Sequence, residues 1–305
     1  MAQVLLQGVL LTTLALSAAG PSAQASGRPC EHVDTRRGSA SDYGFSRGNT
    51  FPAATRPFGF NFWTPLTEPG ESRWLYKYTS PSLYAFGISH EPSPWMGDYG
   101  ALQIWPETGK LVVDPAARRV TFRHADETAR AHVYAVHLDN GIEVRLAPTD
   151  HAAIMSVTYP AAPKAYLLFD TLAAAQGQLT YDAEARAISG VVVHGPGPLY
   201  VWGSVEVQGA SLAASAARGH AGAAIALAAP SGATLTLRLG TSWLSVAQAR
   251  ANVEQELGRK TQREVEEEGA RAWDAVLGQI EIEGASEAQR IIFYSNMYRA
   301  HMYPN

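Results

Sequence analysis

One cysteine stands in the 305 residues, Cys30, so no internal disulfide can staple this chain whatever compartment it reaches. The residues ahead of it, Ser26-Gly27-Arg28-Pro29, do not have the form of a lipid-attachment site. Blocks of one charge are also missing. The 24 Lys and Arg are scattered among 28 Asp and Glu, and a net charge of -4 without a basic stripe leaves nothing to grip a phosphate backbone, which excludes nucleic acid as an expected partner. Long apolar runs are scarce too: the stretch from Val4 to Ala19 is broken by Gln7, Thr12, Thr13 and Ser17 and is short for a membrane span. No Lys or Arg precedes Arg28, yet the order of an apolar run followed by Ala23-Gln24-Ala25 is that of a secretory signal. It predicts cleavage after Ala25 and a secreted or periplasmic protein, with a membrane anchor as the rival reading.

Standard catalytic signatures are absent. There is no zinc-type histidine pair, no P-loop and no GxSxG, and the stretch from Ser189 to Val192 is not followed by the helix that phosphate binding requires. His124, His132, His137 and His151 fall in separate β-type segments and read as packing or surface residues. The carboxylates show no spacing that singles out an acid and a base, so no catalytic and no metal-ligating residue is assigned.

What is present is a core-forming composition, 46% hydrophobic and 17% charged, arranged from about Trp74 to Leu239 as short β-type runs between turn residues. The clearest is "HVYAVHL", then Asp139-Asn140-Gly141, then "IEVRL", where Ile142, Val144 and Leu146 alternate with polar residues and Asn-Gly supplies the positive φ of a tight hairpin. Further strands are expected in "LYAFGIS", "ALQIW", "RVTF", "IMSVTY", "AYLLFD", "LYVWGSVEV", "GAAIAL" and "ATLTLRL". So many strands without intervening helices predict a mainly β fold, an antiparallel β-sandwich.

At Ser245 the period becomes helical. A capping box is expected at Ser245 and Gln248, with Val246, Ala249, Val253 and Leu257 on one stripe and Gly258 as the stop. A charged helix follows with Val265, Trp273, Leu277 and Ile280 on its buried side, and its run "EVEEEGARAW" reads as a solvated face. A third helix begins with a box at Ser286 and Gln289, and Ile291, Tyr294, Tyr298 and Met302 recur at helical spacing. That stripe needs a partner surface, which predicts a longer protein, with packing on the sandwich or an oligomer contact as alternatives.

Two loops stand out. "GNTFPAATRPFGF", Gly48 to Phe60, reads by composition as a stiff connection whose aromatics plug one end of the sandwich. In "ISHEPSPWMGDYG", Ile88 to Gly100, Pro92 and Pro94 restrict Ser93 and Trp95. Such a loop can present Trp95 as a flat platform with His90, Glu91 and Asp98 around it, which is how a sugar site is usually built. A core tryptophan in a structural turn fits the local sequence equally well.

Taken in order, "NTFPAATRPFG", "GISHEPSPWMGDYG", "LAPTDHAAIMSVTYP", "LGTSWLSVAQARANVEQEL", "WDAVLGQIEIEG" and "FYSNMYRAHMYPN" resemble the N-terminal part of glycoside hydrolase family 92, the calcium-dependent exo-acting α-mannosidases. After the signal peptide read at 1–25, the resemblance implies a β-sandwich domain at 26–243, linker α-helices at 244–284, and at 285–305 the first helix of a truncated (α/α) barrel catalytic domain. It implies hydrolysis of a terminal α-mannoside with inversion, on α-1,2-linked mannose of N-glycans or mannans. An acid and a base standing roughly 6.5 to 9.5 Å apart would admit the attacking water. Ca2+ is the implied cofactor, suited to the task because its oxygen ligands can include sugar hydroxyls, and its shell and the catalytic pair belong to the C-terminal domain. The sandwich's implied share is a wall of the mannose site: Trp95 lining it, with Asp98, His90 and Glu91 as polar contacts. The alternative function is a non-catalytic secreted carbohydrate-binding module.

Overall fold

The computed structural model describes residues 27–41, 44, 50–70, 75–90, 102–171, 176–194, 197–216 and 222–302. Among them the strands form two antiparallel sheets. One runs, edge to edge, β1 (Phe62–Leu66), β3 (Ala85–Ser89), β4 (Leu102–Thr108), β9 (Lys164–Thr171), β14 (Ala223–Ala228) and β13 (Ser211–Ala216). The other runs β10 (Gln176–Asp182), β11 (Ala187–His194), β12 (Gly197–Gln208), β15 (Thr234–Ser242), β8 (Ala152–Thr158), β7 (Glu143–Pro148), β6 (Val133–Leu138), β5 (Val120–Arg130) and β2 (Ser82–Leu83). The expected sandwich is therefore present. The β6–β7 hairpin turns where Asn-Gly predicts it, with Gly141 at φ 85° and its N–H donating to Leu138 O at 2.8 Å. Strands β1, β10, β11 and β13 were not expected. Gly177, Gly190 and the alanine-rich β13 give weak β signals, and these strands are held by pairing with their neighbours.

The core lies between the sheets, where Phe62, Phe86, Phe169, Tyr134, Leu167 and Val157 are almost fully buried. Each such side chain contributes about 1.5–3 kcal/mol through removal of apolar surface from water. Buried charge is confined and matched. Arg118 reaches Asp170 at 2.9 Å, Gln103 Oε1 at 2.6 Å and the carbonyl of Tyr84 at 3.0 Å.

The first two of three helices pack on the face of the nine-stranded sheet turned away from the core, and the third packs on the N-terminal segment and on the second helix. Helix α1 (Val246–Asn252) lies on β15 and β12, and a Cβ on Gly240 would stand 2.4 Å from the Ala249 carbonyl, so only glycine admits this approach. Ser245 caps α1 through Gln248 N, but the reciprocal half of the box is replaced: Gln248 Nε2 donates to Asn252 Oδ1. A π-helical turn (Val253–Leu257) ends at Gly258, φ 51°. Helix α2 (Gln262–Leu277) and helix α3 (Glu287–Ala300) carry complete capping boxes at Thr261 and Ser286. In α2, Val265, Trp273 and Leu277 are buried as expected, whereas Ile280 lies past the helix end and is exposed.

The charged face of α2 is less solvated than its sequence suggests. Arg145 pairs with Glu266, Arg28 with Glu267 at 3.0 Å and Asp274 at 2.5 Å, and Lys260 with Glu268 at 2.7 Å. The apolar stripe of α3 has its partner inside this chain. Tyr298 donates to Ala53 O at 2.6 Å and packs on Trp273, whose indole N–H donates to Thr55 O at 2.7 Å. Tyr294 stacks on His32, and Arg299 donates to Thr35 O at 2.7 Å. Ile291 is only partly buried. Apart from Trp273, the covering surface comes from residues near 30 and 50, more than 240 positions earlier in the chain, where helical periodicity cannot reveal it.

Candidate functional site

Four segments meet at one end of the sandwich. The Phe60 segment leads into β1, His90 follows β3, His151 stands in the β7–β8 turn, and Trp243 follows β15. Antiparallel pairing puts them together: Phe62 faces Ser89, and Gly240 faces Ala152. Asn61 joins the two sheets there by donating from Nδ2 to Thr241 Oγ1 at 3.1 Å, and Phe60 N–H donates to Asp150 O at 3.2 Å.

The rings pack around Phe60. Its centroid is 4.7 Å from that of His90, 5.0 Å from His151 and 4.9 Å from Trp243, and His90 lies 5.5 Å from Trp243. His90 is buried and donates from Nδ1 to the Phe60 carbonyl at 2.8 Å. Burial pulls its pKa down to about 4 against the opposing pull of that hydrogen bond, so at neutral pH it is an uncharged ring. Trp243 keeps 52% of its surface exposed and Leu244 keeps 77%. The result is an apolar floor with a half-exposed indole at its edge.

Beside it lies a cleft of about 420 Å³ lined by Arg56, Pro57, Thr149, Asp150, Glu256 and Glu268. Glu256 comes from the π turn, a local unwinding that re-aims one side chain. It accepts from the Thr149 hydroxyl at 2.5 Å, from His151 N–H at 2.9 Å and from His151 Nδ1 at 2.8 Å. Burial alone would raise its pKa, but these bonds hold it below the usual glutamate value, and its carboxylate raises that of His151. Burial and the neighbouring Glu256 raise Asp150. Arg56 donates to Pro148 O at 3.0 Å and stands 3.9 Å from Glu268. An apolar platform beside a polar cleft suits a polyhydroxylated ligand: one ring face stacks and the hydroxyls meet charged groups. No group of three or more His, Cys, Asp or Glu able to hold a metal ion occurs among the described residues.

Of the expected site residues, Glu91, Trp95 and Asp98 lie outside the described residues, and His90 is the one placed, at the root of that loop. Three of the four scattered histidines behave as expected. His124 stacks on Tyr78, His137 pairs with Glu143 on the sheet surface, and His132 packs against α2 at Gly269. His151 does not, since it joins the aromatic end. Phe60, Trp243 and Glu256 were missed. The available signal was Trp243-Leu244, two large apolar residues wedged between a strand end and a helix cap.

Two family models match the chain: the glycosyl hydrolase family 92 N-terminal domain over residues 32–242 and the family 92 catalytic domain over residues 248–305. A family GH92 inverting mannosidase from Bacteroides thetaiotaomicron is similar in structure at 28% identity and TM-score 0.82, over 91% of this chain and 40% of that one. A GH92 α-mannosidase of the same organism, solved with mannoimidazole, shares the fold at 23% identity and TM-score 0.74, over 91% of this chain and 40% of its own. No curated protein matches. The chain thus spans 40% of the length of each of these two enzymes. With the N-terminal domain model covering the whole sandwich and the catalytic model starting inside α1, the chain belongs to glycosyl hydrolase family 92.

Proposed function

We propose that this chain is the N-terminal, carbohydrate-facing part of an exported, exo-acting inverting α-mannosidase that removes α-1,2-linked mannose from N-glycans or mannans. The observation that carries the reading is the aromatic end around Phe60, from which the 91–100 loop with Trp95 departs at His90. The family, and the likeness to an inverting mannosidase, support the choice of sugar and stereochemistry. In this reading the sandwich binds and orients the terminal mannose. Trp243 offers a face to the ring and the Asp150 and Arg56 groups meet its hydroxyls, while Trp95, Asp98 and Glu91 are proposed as further mannose contacts. The acid that protonates the leaving oxygen and the base that activates water lie outside these residues.

Calcium remains the implied cofactor. No cluster of three or more His, Cys, Asp or Glu that could hold a metal ion occurs among the described residues, and in this reading their part is to bind and orient the sugar. Export rests on the signal-like stretch ending at Ala25. The second reading, a non-catalytic sugar-binding module, draws on the same apolar platform beside a polar cleft, which suits a sugar whether or not it is cleaved.

Activity separates the two. The protein at its full natural length should hydrolyse an aryl α-mannoside and α-1,2-mannobiose, lose that activity in chelator, and lose at least tenfold in kcat/KM on Trp95→Ala. The 305-residue chain alone should hydrolyse neither. A full-length protein that binds mannose without turnover, in calcium as in chelator, would leave the module as the function.

A further inference from the structure

Phe58 sits at φ 54°, in the left-handed region that a bulky side chain rarely enters. The other non-glycine residues there, Arg186 and Ala229, lie in turns at strand ends. Phe58 is held from several sides. Its N–H donates to the carbonyl of His301, just past α3, at 3.0 Å, and its ring meets the His301 ring edge-on at 5.6 Å. Gly59 N–H closes the turn onto Arg56 O at 3.0 Å, and a Cβ on Gly59 would stand 2.9 Å from Thr55 Oγ1. Arg56 then ties the turn to the sandwich through Pro148 O at 3.0 Å and to α2 through Val265 O at 3.4 Å.

All this fixes a ring that the core does not use: 49% of Phe58 is exposed, while Phe51 in the same loop is fully buried. The expectation that the loop's aromatics plug the sandwich therefore holds for Phe51 and fails for Phe58. Along the chain Phe58 stands between Pro57, which lines the cleft, and Phe60, the centre of the aromatic end. A strained backbone that survives with little packing gain is a sign of function when its neighbours in the chain, here Arg56 and Pro57, line a cleft.

We infer that Phe58 is a substrate-positioning platform: its ring stacks on the apolar face of a pyranose of the glycan while the Arg56 and Asp150 side of the cleft meets that sugar's hydroxyls. This rests on the mannosidase reading and adds a specificity-determining residue to it. The strained backbone is what aims the ring, so relieving it with glycine should help the fold, while losing the ring should harm the binding.

The test compares Phe58→Gly, Phe58→Ala and Phe58→Tyr in the protein at its full natural length, by thermal midpoint and by kcat and KM on α-1,2-mannobiose. Phe58→Gly relieves the backbone, so its midpoint should equal or exceed that of wild type while kcat/KM falls at least tenfold, mostly through KM. Phe58→Tyr should keep activity within about threefold, and Phe58→Ala should lose both activity and midpoint. Unchanged kcat/KM in Phe58→Gly overturns the proposal, and if its midpoint also falls, the ring belongs to a protein interface instead. A wild-type protein that neither hydrolyses nor binds mannosides by calorimetry sinks the mannosidase reading and this one together. An active wild type with an indifferent Phe58→Gly sinks this one alone.

Discussion

The centre around Glu127 and the end around Phe60 are both assembled from aromatic rings, histidines and a carboxylate, yet one is closed and the other open. Glu127 is buried with its side chain wholly out of water, and it accepts from Tyr134 at 2.7 Å, His124 at 2.8 Å, Tyr76 at 3.0 Å and Arg36 at 3.4 Å. A carboxylate offers about four acceptor sites, so the inventory is full. Burial, and then the negative Glu127, push both tyrosine hydroxyls well above their usual pKa, which keeps them neutral donors. At the Phe60 end, by contrast, three carboxylates, Asp150, Glu256 and Glu268, line an open cleft beside a half-exposed indole. Similar residue types thus give a structural lock where every polar atom is answered, and a candidate ligand site where water still has access.

The sharpest test of that contrast is Glu127→Ala. It leaves two buried hydroxyls without this acceptor and the Arg36 guanidinium with Asp34 alone, so we expect a loss of about 3–5 kcal/mol in urea-monitored stability. On the proposed reading, the variant at full natural length should keep the wild-type kcat/KM on mannosides. A loss under about 1 kcal/mol, or a selective loss of turnover, would break the comparison.

Acid should come next. The folded pKa of His90 is depressed to about 4 from 6.5, so its contribution is complete above pH 6.5 and is lost as pH falls toward 4. That amounts to about 3 kcal/mol for a buried group. His132, also lowered to about 4 by burial, adds to the same trend. Urea midpoints followed from pH 7 to 4.5 should fall steeply in wild type and less steeply in His90→Gln. Parallel slopes would mean that His90 is not held neutral.

Trp243→Ala should cost about 1–2 kcal/mol of stability, because half of the side chain is already in water. It should also lower kcat/KM at full natural length at least tenfold, about 1.4 kcal/mol in the transition state. An effect on stability alone would turn the open end into ordinary packing.

The smallest expected effect is that of Glu256→Gln. His151 is raised above 6.5 chiefly by its bond to Glu256, so that part of the pair's stability is complete below pH 6.5 and lost as pH rises through the raised value. The ring is 43% exposed, which limits it to under about 1 kcal/mol. Thermal midpoints of wild type and variant should differ at pH 6 and converge by pH 9. A constant difference would assign the effect to the Thr149 and backbone bonds instead.

Much of the architecture could be read from residues in order. Alternation in "IEVRL" with Asn140-Gly141 set the β6–β7 hairpin, and Ser286 with Gln289 set the start of α3, because turn and cap energetics act within four residues. The order of the loops carried the family resemblance. The site was less legible: the histidines gave no sign of which would gather, and His151 meets Phe60 only because β7 and β8 end where β1 begins.

Local chemistry in the sequence thus determined the β class, the hairpin, the helix caps and the absence of disulfides. Tertiary structure alone decided that Tyr298 would find Ala53, that Asn61 would find Thr241, and that Phe51 would be buried while Phe58 stays exposed. Those contacts span up to 245 positions, and their free energy comes from joint burial and hydrogen bonding of distant segments, a quantity no window of neighbouring residues contains.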